Sequence, residues 1–412
     1  MLNPDIRVED APTLKETEPK ESGCGEPERR EVAEPKEEEN TEPEEEGGDR
    51  EIRRSIDGRT ETSTETKERR DRSRHVPGGA WLTQMALLPP DPKFILRGAR
   101  AEINSLQFFC GNQEQGPPIL FSGASNGLIH VWNLKIRRAD TVLDGHDGKS
   151  VYWVQTLRGR ESLLSQGRDL QICTWDLAEG RNTVTDSLFT ESVGFCKCSL
   201  LRMSQDRWLL AVAGRETSEV QVREMPSQKL VCTLTPESEA RMGMPMCLRL
   251  WQPPSGSSPL LLVGYEDGSL ALWSIAEKRP LSRLPCHQDP VMCLDFDPER
   301  ARGVSGSSDK APSAWRLDAQ QRLQVYKSLT LTNPGVADVA IRQDGRILAT
   351  GGWDHRLRIF GWKSLKPLAV LDYHTATVHC VTFSDHDTPS DRLMAAGSKD
   401  QRISLWSLYN EA

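Results

Sequence analysis

Residues 163–177 read "LLSQGRDLQICTWDL", and two later stretches follow the same grammar, "LLVGYEDGSLALW" at 261–273 and "MAAGSKDQRISLW" at 394–406. Each opens on an apolar run, breaks at a small polar turn that carries an acid, and then alternates toward a tryptophan. Asp169, Asp267 and Asp400 stand six positions before Trp175, Trp273 and Trp406. The pattern predicts two short strands joined by a tight turn, with the aromatic anchoring the second strand.

Aligned on that anchor, four more copies emerge. "LFSGASNGLIHVW" ends at Trp132, "GVSGSSDKAPSAW" at Trp315 and "LATGGWDHRLRIF" at Phe360, with Asn126, Asp309 and Asp354 at the turn, while a degraded copy, "LAVAGRETSEVQVRE", ends at Glu224. The seven anchors are 43, 49, 49, 42, 45 and 46 residues apart. Upstream of each pair lies another alternating run, such as "INSLQFF", "VMCLDFD" or "VHCVTFS", and before it a short outer one such as "TVLDGH". Four strands per unit at this period predict an all-β fold, a seven-bladed β-propeller, in preference to a sandwich or solenoid.

The recurrence has a chemical reason. His146, at the entrance of its unit, can pair with Asp169, and Ser165 can bridge toward the Trp175 indole, so that a buried polar network is satisfied. The same set recurs as His287, Ser305, Asp309 and Trp315; a third, His374, Asp400 and Trp406, has Ala396 where the hydroxyl would stand. Histidine–aspartate pairs at equivalent positions of a repeat read as structural, not catalytic.

Composition divides the chain in two. Residues 1–80 hold 24 acidic against 15 basic side chains and no Phe, Trp or Tyr, and they cannot bury enough surface to offset the entropy of ordering. Residues 1–84 are expected to be a disordered acidic and mixed-charge extension, with 85–412 as the propeller. Arg69, Arg70, Arg72 and Arg74 are interrupted by acids and read as a solvated linker before they read as an import signal. The remaining 37 basic and 36 acidic residues nearly cancel, which argues against a nucleic-acid face. No apolar run is long enough for a signal or membrane span. The ten irregularly spaced cysteines fit a reducing compartment, hence a cytoplasmic protein with access to the nucleus.

Closure requires one more strand. "KFILRG" at 93–98 matches "TVLDGH" in type yet precedes any complete unit, so it is expected to pair on the outside of the last blade and remove an open edge. Two places break the pattern: the third unit lacks its Trp and acidic turn and is expected to have an outer edge and turn that are either looser or recruited for contact, and Pro312 falls inside the strand "KAPSAW".

The "DGH" at 144–146 followed by "SQGRDLQICTWDL" resembles the WD-repeat family, and "PPDPKFILRG" at 89–98, "GMPMCLRLW" at 243–251, "LTNPG" at 331–335 and "AAGSKDQRISLWSLY" at 395–409 are similar to a branch of non-enzymatic adaptors within it. That resemblance implies a co-chaperone role in the maturation and stability of phosphatidylinositol-3-kinase-related protein kinases, and hence DNA-damage signalling. It implies those kinases and the TELO2–TTI1–TTI2 assembly as partners. It begins near residue 89 and leaves Met85 as an alternative start.

Candidate contact residues are those that neither fill a strand nor join a network. Trp353 in "GGWDHR", Arg168 in "QGRDL" and Tyr265 in "GYEDG" stand beside the turn acid, and Arg356 and Lys399 are further candidates. No catalytic residue, cofactor, metal or small-molecule substrate is expected: "CKC" at 196–198 lacks ligand company, Cys286 adjoins a network histidine, and neither a phosphate-binding nor a nucleophile-elbow motif occurs. Alternatives that stay open are a G-protein β-like subunit, a ubiquitin-ligase substrate receptor, an RNA-binding propeller and a propeller hydrolase.

Overall fold

The alternation of the sequence becomes an alternation of burial, as in Ile103–Phe109, where Ile103, Leu106 and Phe108 are buried and Asn104, Gln107 and Phe109 only half so. In the computed structural model, residues 89–410 are described except 110–118, 158–160, 179–181, 193, 238–239, 255, 387 and 389–390. The expected disordered extension, its arginine cluster and Met85 lie outside the described residues. The fold is all-β, seven four-stranded antiparallel sheets arranged as a β-propeller.

From inside outward, blade 1 is Ile103–Phe109, Ile119–Ala124, Leu128–Asn133 and Arg138–Asp144, and blade 2 is Val151–Thr156, Ser162–Gly167, Gln171–Asp176 and Thr183–Phe189. Blades 3 to 6 repeat the order from Ser199–Ser204, Pro245–Trp251, Val291–Asp297 and Val336–Ile341. Blade 7 takes Val378–Phe383, Met394–Ser398 and Ile403–Trp406 from the end of the chain and its outermost strand, Phe94–Leu96, from the start. Phe94 faces Leu405 and Leu96 faces Ile403, with the Lys93 amide donating to the Leu405 carbonyl at 2.6 Å. The pairing is three residues long, shorter than 93–98, because the chain turns away through Gly98 at φ 118°. Leu96, Ile103, Cys380, Ile403 and Leu405 then share one core, so the join is packed as well as hydrogen-bonded. At the other end, buried Arg342 donates to the carbonyls of Leu408 (2.6 Å) and Tyr409 (3.0 Å) and ties the last residues to blade 6.

Antiparallel order places the turns between second and third strands on the same face as the connections that lead from one blade to the next. The strand starts are bulged on this face. In six of the inner strands the register slips between the first and third residue, leaving Asn104, Tyr152, Met246, Met292, Ala337 and His379 half-buried there.

Blade 3 corrects the expectation of a loose edge. It has all four strands, and Lys229–Leu234 pairs with Val220–Met225. The missing anchor is replaced by Trp208, on the preceding strand and 1% exposed, while Glu224 turns outward to pair with Arg207 at 2.6 Å. Pro312 falls just before its strand, which begins at Ser313, so no ladder donor is lost.

Candidate interaction face

In blade 2, His146 Nδ1 lies 2.8 Å from Asp169 Oδ2, His146 Nε2 lies 2.7 Å from Ser165 Oγ, and Trp175 Nε1 donates to the same Oγ at 2.8 Å. The ends of this chain set its direction. An indole only donates and a carboxylate only accepts, so the hydroxyl accepts from Trp175 and donates to His146 Nε2, and the Nδ1 hydrogen goes to Asp169. The network ties the inter-blade connection to the turn of the next blade.

The other two sets differ from expectation in instructive ways. In blade 5, His287 reaches Asp309 (3.0 Å) and Ser305 (2.8 Å), but Trp315 Nε1 has no hydrogen-bond partner. The residue opposite Trp315 is Gly303, where Leu163 faces Trp175, and a Cβ there would overlap the Trp315 ring. The indole has settled onto the bare strand and stacks on Phe296 with 8° between planes, away from the hydroxyl. In blade 7, Ala396 is compensated: Ser404, its cross-strand partner, supplies the hydroxyl, 2.8 Å from both His374 Nε2 and Trp406 Nε1, with His374 Nδ1 2.9 Å from Asp400. Burial opposes ionisation of Asp400, but His374 together with the Thr375 and Arg402 amides outweighs it and lowers the pKa.

The remaining turn residues find other partners. Asp354 receives Arg358 and Asn333 (3.0 Å) in place of a histidine; burial opposes its charge, yet these donors hold its pKa at about 2. Asp267 pairs with Arg283 at 2.5 Å, and Asn126 caps the Leu128 amide at 3.3 Å. Innermost carboxylates stitch neighbouring blades: Asp295 accepts from the Ile341 amide at 2.8 Å and Asp338 from the Val381 amide at 3.0 Å.

Four of the five candidate contact residues reach this face. Trp353 is 45% exposed. Arg168 is exposed and lies over the Phe195 ring, 4.0 Å from its centroid. Lys399 is exposed and 3.5 Å from Glu102, and half-buried Arg356 is bound to Asp372 at 2.5 Å. Tyr265 is corrected: it is 0% exposed. It stands two residues before Asp267, at the position of Gly167, where a Cβ would overlap His146. The connection before blade 4 carries no histidine, and Tyr265 fills the core in the cluster against which Ala240 packs, approaching Trp273 Nε1 without hydrogen-bond geometry.

Residues missed from the sequence cluster in the connection between blades 2 and 3. Phe189 and Phe195 are 63% and 62% exposed. Cys196 and Cys198 point inward, with burial raising both thiols, and the alternation in "CKC" is the sequence signal of this arrangement. Burial likewise pushes the Cys286 thiol up to about 12, leaving no ready nucleophile there. Among the described residues no three His, Cys, Asp or Glu side chains are placed to hold a metal ion, and no helix is long and apolar enough to cross a membrane.

Comparison with known proteins gives the same architecture. The "WD domain, G-beta repeat" family model matches residues 278–315, 324–361 and 365–407. Guanine nucleotide-binding protein subunit beta-like protein 1 of Mus musculus is 56% identical over 321 residues, covering 78% of this chain and 97% of the mouse protein. ASTRA-associated protein 1 of Verticillium alfalfae is 26% identical over 387 residues (78% of this chain, 93% of the fungal protein), and that of Schizosaccharomyces japonicus 26% over 389 residues (78% and 100%). Repeat wording, a ring of seven blades and a 56% identical relative matched almost end to end agree: this chain belongs to the WD-repeat family, a family typical of non-catalytic scaffolds, and is closely related to beta-like protein 1 and the ASTRA-associated proteins.

Proposed function

We propose that this chain is a non-enzymatic adaptor of the chaperone machinery that matures and stabilises phosphatidylinositol-3-kinase-related protein kinases, and thereby supports DNA-damage signalling. The kinases and the TELO2–TTI1–TTI2 assembly are its proposed partners, and the cytoplasm, with access to the nucleus, its proposed location. One observation carries the reading: the histidine–aspartate networks are spent on holding turns in place, while the face they hold presents exposed Trp353, Phe195 and Arg168. A rigid frame with aromatic and arginine side chains on its loops is suited to protein recognition. The names of the relatives, which speak of association with ASTRA and of likeness to a β subunit, favour an assembly partner. Charges on and beside the innermost strands are paired with opposite sign, Arg249 with Asp295 at 3.3 Å and Lys197, two residues before the innermost strand of blade 3, with Asp338 of blade 6 at 3.7 Å, which favours protein over RNA.

The test is affinity purification of the tagged full chain with quantitative mass spectrometry, beside acute depletion. Recovery of kinases and co-chaperones, with falling kinase levels on depletion, is expected. Recovery of only G-protein effectors or ubiquitin-ligase subunits, with kinase levels unchanged, contradicts the proposal.

A further inference from the structure

We propose that Lys197 is a strut across the axial channel. From the connection between blades 2 and 3 it reaches its counterion, Asp338, on the innermost strand of blade 6 across the ring, and this tie holds in place the segment that presents Phe195. The strut belongs to the folded chain alone and goes beyond the adaptor reading without depending on it.

The groups around Lys197 place it. Its ammonium lies 3.7 Å from Asp338 and also acts electrostatically on Cys247 of blade 4, Cys293 of blade 5, and His379 and Cys380 of blade 7. All five stand on innermost strands, so the side chain enters the channel that those strands enclose. The third residue of the innermost strand explains the direction it takes. In blades 4, 5 and 7 that residue is a cysteine whose thiol donates to the first carbonyl of the next blade, Cys247 to Val291 (3.4 Å), Cys293 to Val336 (3.7 Å) and Cys380 to Ile103 (3.8 Å). Burial raises the pKa of all three, so they are neutral. Blade 6 has Asp338 at that place instead, its Oδ2 accepting from the Val381 amide of blade 7 at 3.0 Å.

Asp295, a second acid of these strands, is already engaged by Arg249 (3.3 Å) and the Ile341 amide (2.8 Å), which leaves Asp338 to Lys197. Burial is the largest influence on the Asp338 carboxyl and raises its pKa, with Asp295 adding to it; Lys197 is the largest influence in the other direction. Burial also opposes the Lys197 charge, and Asp338 is the largest of the groups that restore it. Each charge is therefore sustained by the other, and removing one leaves an enclosed charge without its counterion. At the near end of the tie, the described residues between Phe189 and Ser199 join no strand. Gln166 holds this segment from blade 2, donating to the Cys196 carbonyl at 3.3 Å and accepting from the Cys198 amide at 3.1 Å, and Lys197, between those two residues, holds it from blade 6. With Gln166 alone the segment could pivot about one pair of hydrogen bonds; the second tie, from across the channel, removes that freedom.

The test is hydrogen exchange of the full chain, corrected for intrinsic rates and read on a peptide covering residues 190–199, with one covering 260–265 as reference. The variants are Lys197→Met, Asp338→Asn, the two together, Lys197→Arg, and Lys135→Met in a distant turn. Both single changes keep the size of the side chain, and Asp338→Asn keeps an oxygen for the Val381 amide, so the ring is expected to stay folded with Tm lower by about 1–3 °C. Each should speed exchange at 190–199 severalfold and leave 260–265 unchanged. The double variant should match the more affected single one, because both remove the same tie. Lys197→Arg, which retains the charge, and Lys135→Met should exchange like wild type. Effects that add in the double variant, wild-type exchange at 190–199 in Lys197→Met, or a Lys197→Arg protein that exchanges as fast as Lys197→Met overturns the proposal. Should a single variant fail to fold, sodium chloride at about 1 M on the wild-type chain reads the same tie, since solvent reaches Lys197 at 37% exposure. Exchange at 190–199 should then rise while 260–265 holds, and no selective rise overturns the proposal.

Discussion

Ser404→Ala isolates the value of one hydroxyl. Ser404 Oγ accepts from Trp406 Nε1 and donates to His374 Nε2, both at 2.8 Å, and those two side chains are 1% and 2% exposed. Its loss leaves a buried N–H and a buried ring nitrogen without partners, at about 1–3 kcal/mol each, so roughly 2–4 kcal/mol is expected after local relaxation. With an unfolding entropy of about 2 cal/mol/K per residue over the propeller, Tm should fall by about 3–6 °C. The discriminating variant adds Ala396→Ser. Residue 396 faces 404 across the ladder, and serine at the matching place in blades 2 and 5 already bonds its histidine. The double variant should therefore recover most of the loss in thermal or urea unfolding followed by tryptophan fluorescence. A Ser404→Ala protein that melts like wild type, or a double variant no better than the single one, would refute the reasoning.

Trp175→Phe should cost about 1 kcal/mol more than Trp315→Phe, since only Trp175 Nε1 has an acceptor; equal costs in urea unfolding would contradict the account. Tyr265→Phe should change stability by less than about 0.5 kcal/mol, and Tyr265→Ala should lose about 3–5 kcal/mol as a buried cavity. Selective loss of one partner at unchanged stability would return Tyr265 to the surface. The Asp354 pKa is held near 2 in the folded chain, below the unfolded value of about 3.9. Its contribution is therefore complete above pH 4 and lost as pH falls toward 2. The shift corresponds to about 2.6 kcal/mol, reduced to about 1 kcal/mol by solvent screening. Asp354→Asn should remove that amount at neutral pH and flatten stability between pH 4 and 2, and an unchanged acid profile would exclude the Arg358–Asp354 pair as its source.

The ring was legible because a propeller repeats its constraint. Asp169, Asp309 and Asp400 recur at one distance from their tryptophans since each turn must satisfy the same buried donor. What could not be read was substitution between positions adjacent in space but distant in sequence. Ser404 looks like any polar residue of an alternating strand until the ladder sets it opposite Ala396. Trp315 has the spacing of its network, yet a glycine across the sheet decides where its ring lies. Tyr265 lies close enough to the turn acid to suggest the rim, but it stands two residues before Asp267 and not one, and a one-residue offset reverses the face of a strand. In the same way the segment that carries exposed Phe195 belongs to a connection held by Gln166, a residue of another strand 30 positions away.

The closed ring is the claim on which the presented face depends, and hydrogen exchange of the full chain tests it most directly, read on peptides covering residues 93–98 and 403–406. Paired as a fourth, edge strand, the alternate amides of 93–96 that donate to the neighbouring strand, Lys93 among them, should be protected, while those facing outward exchange faster than the amides of Ile403–Trp406. Complete exchange of 93–96 within seconds, with 403–406 still protected, would mean that blade 7 has an open edge and that the ring is held shut by something other than this strand.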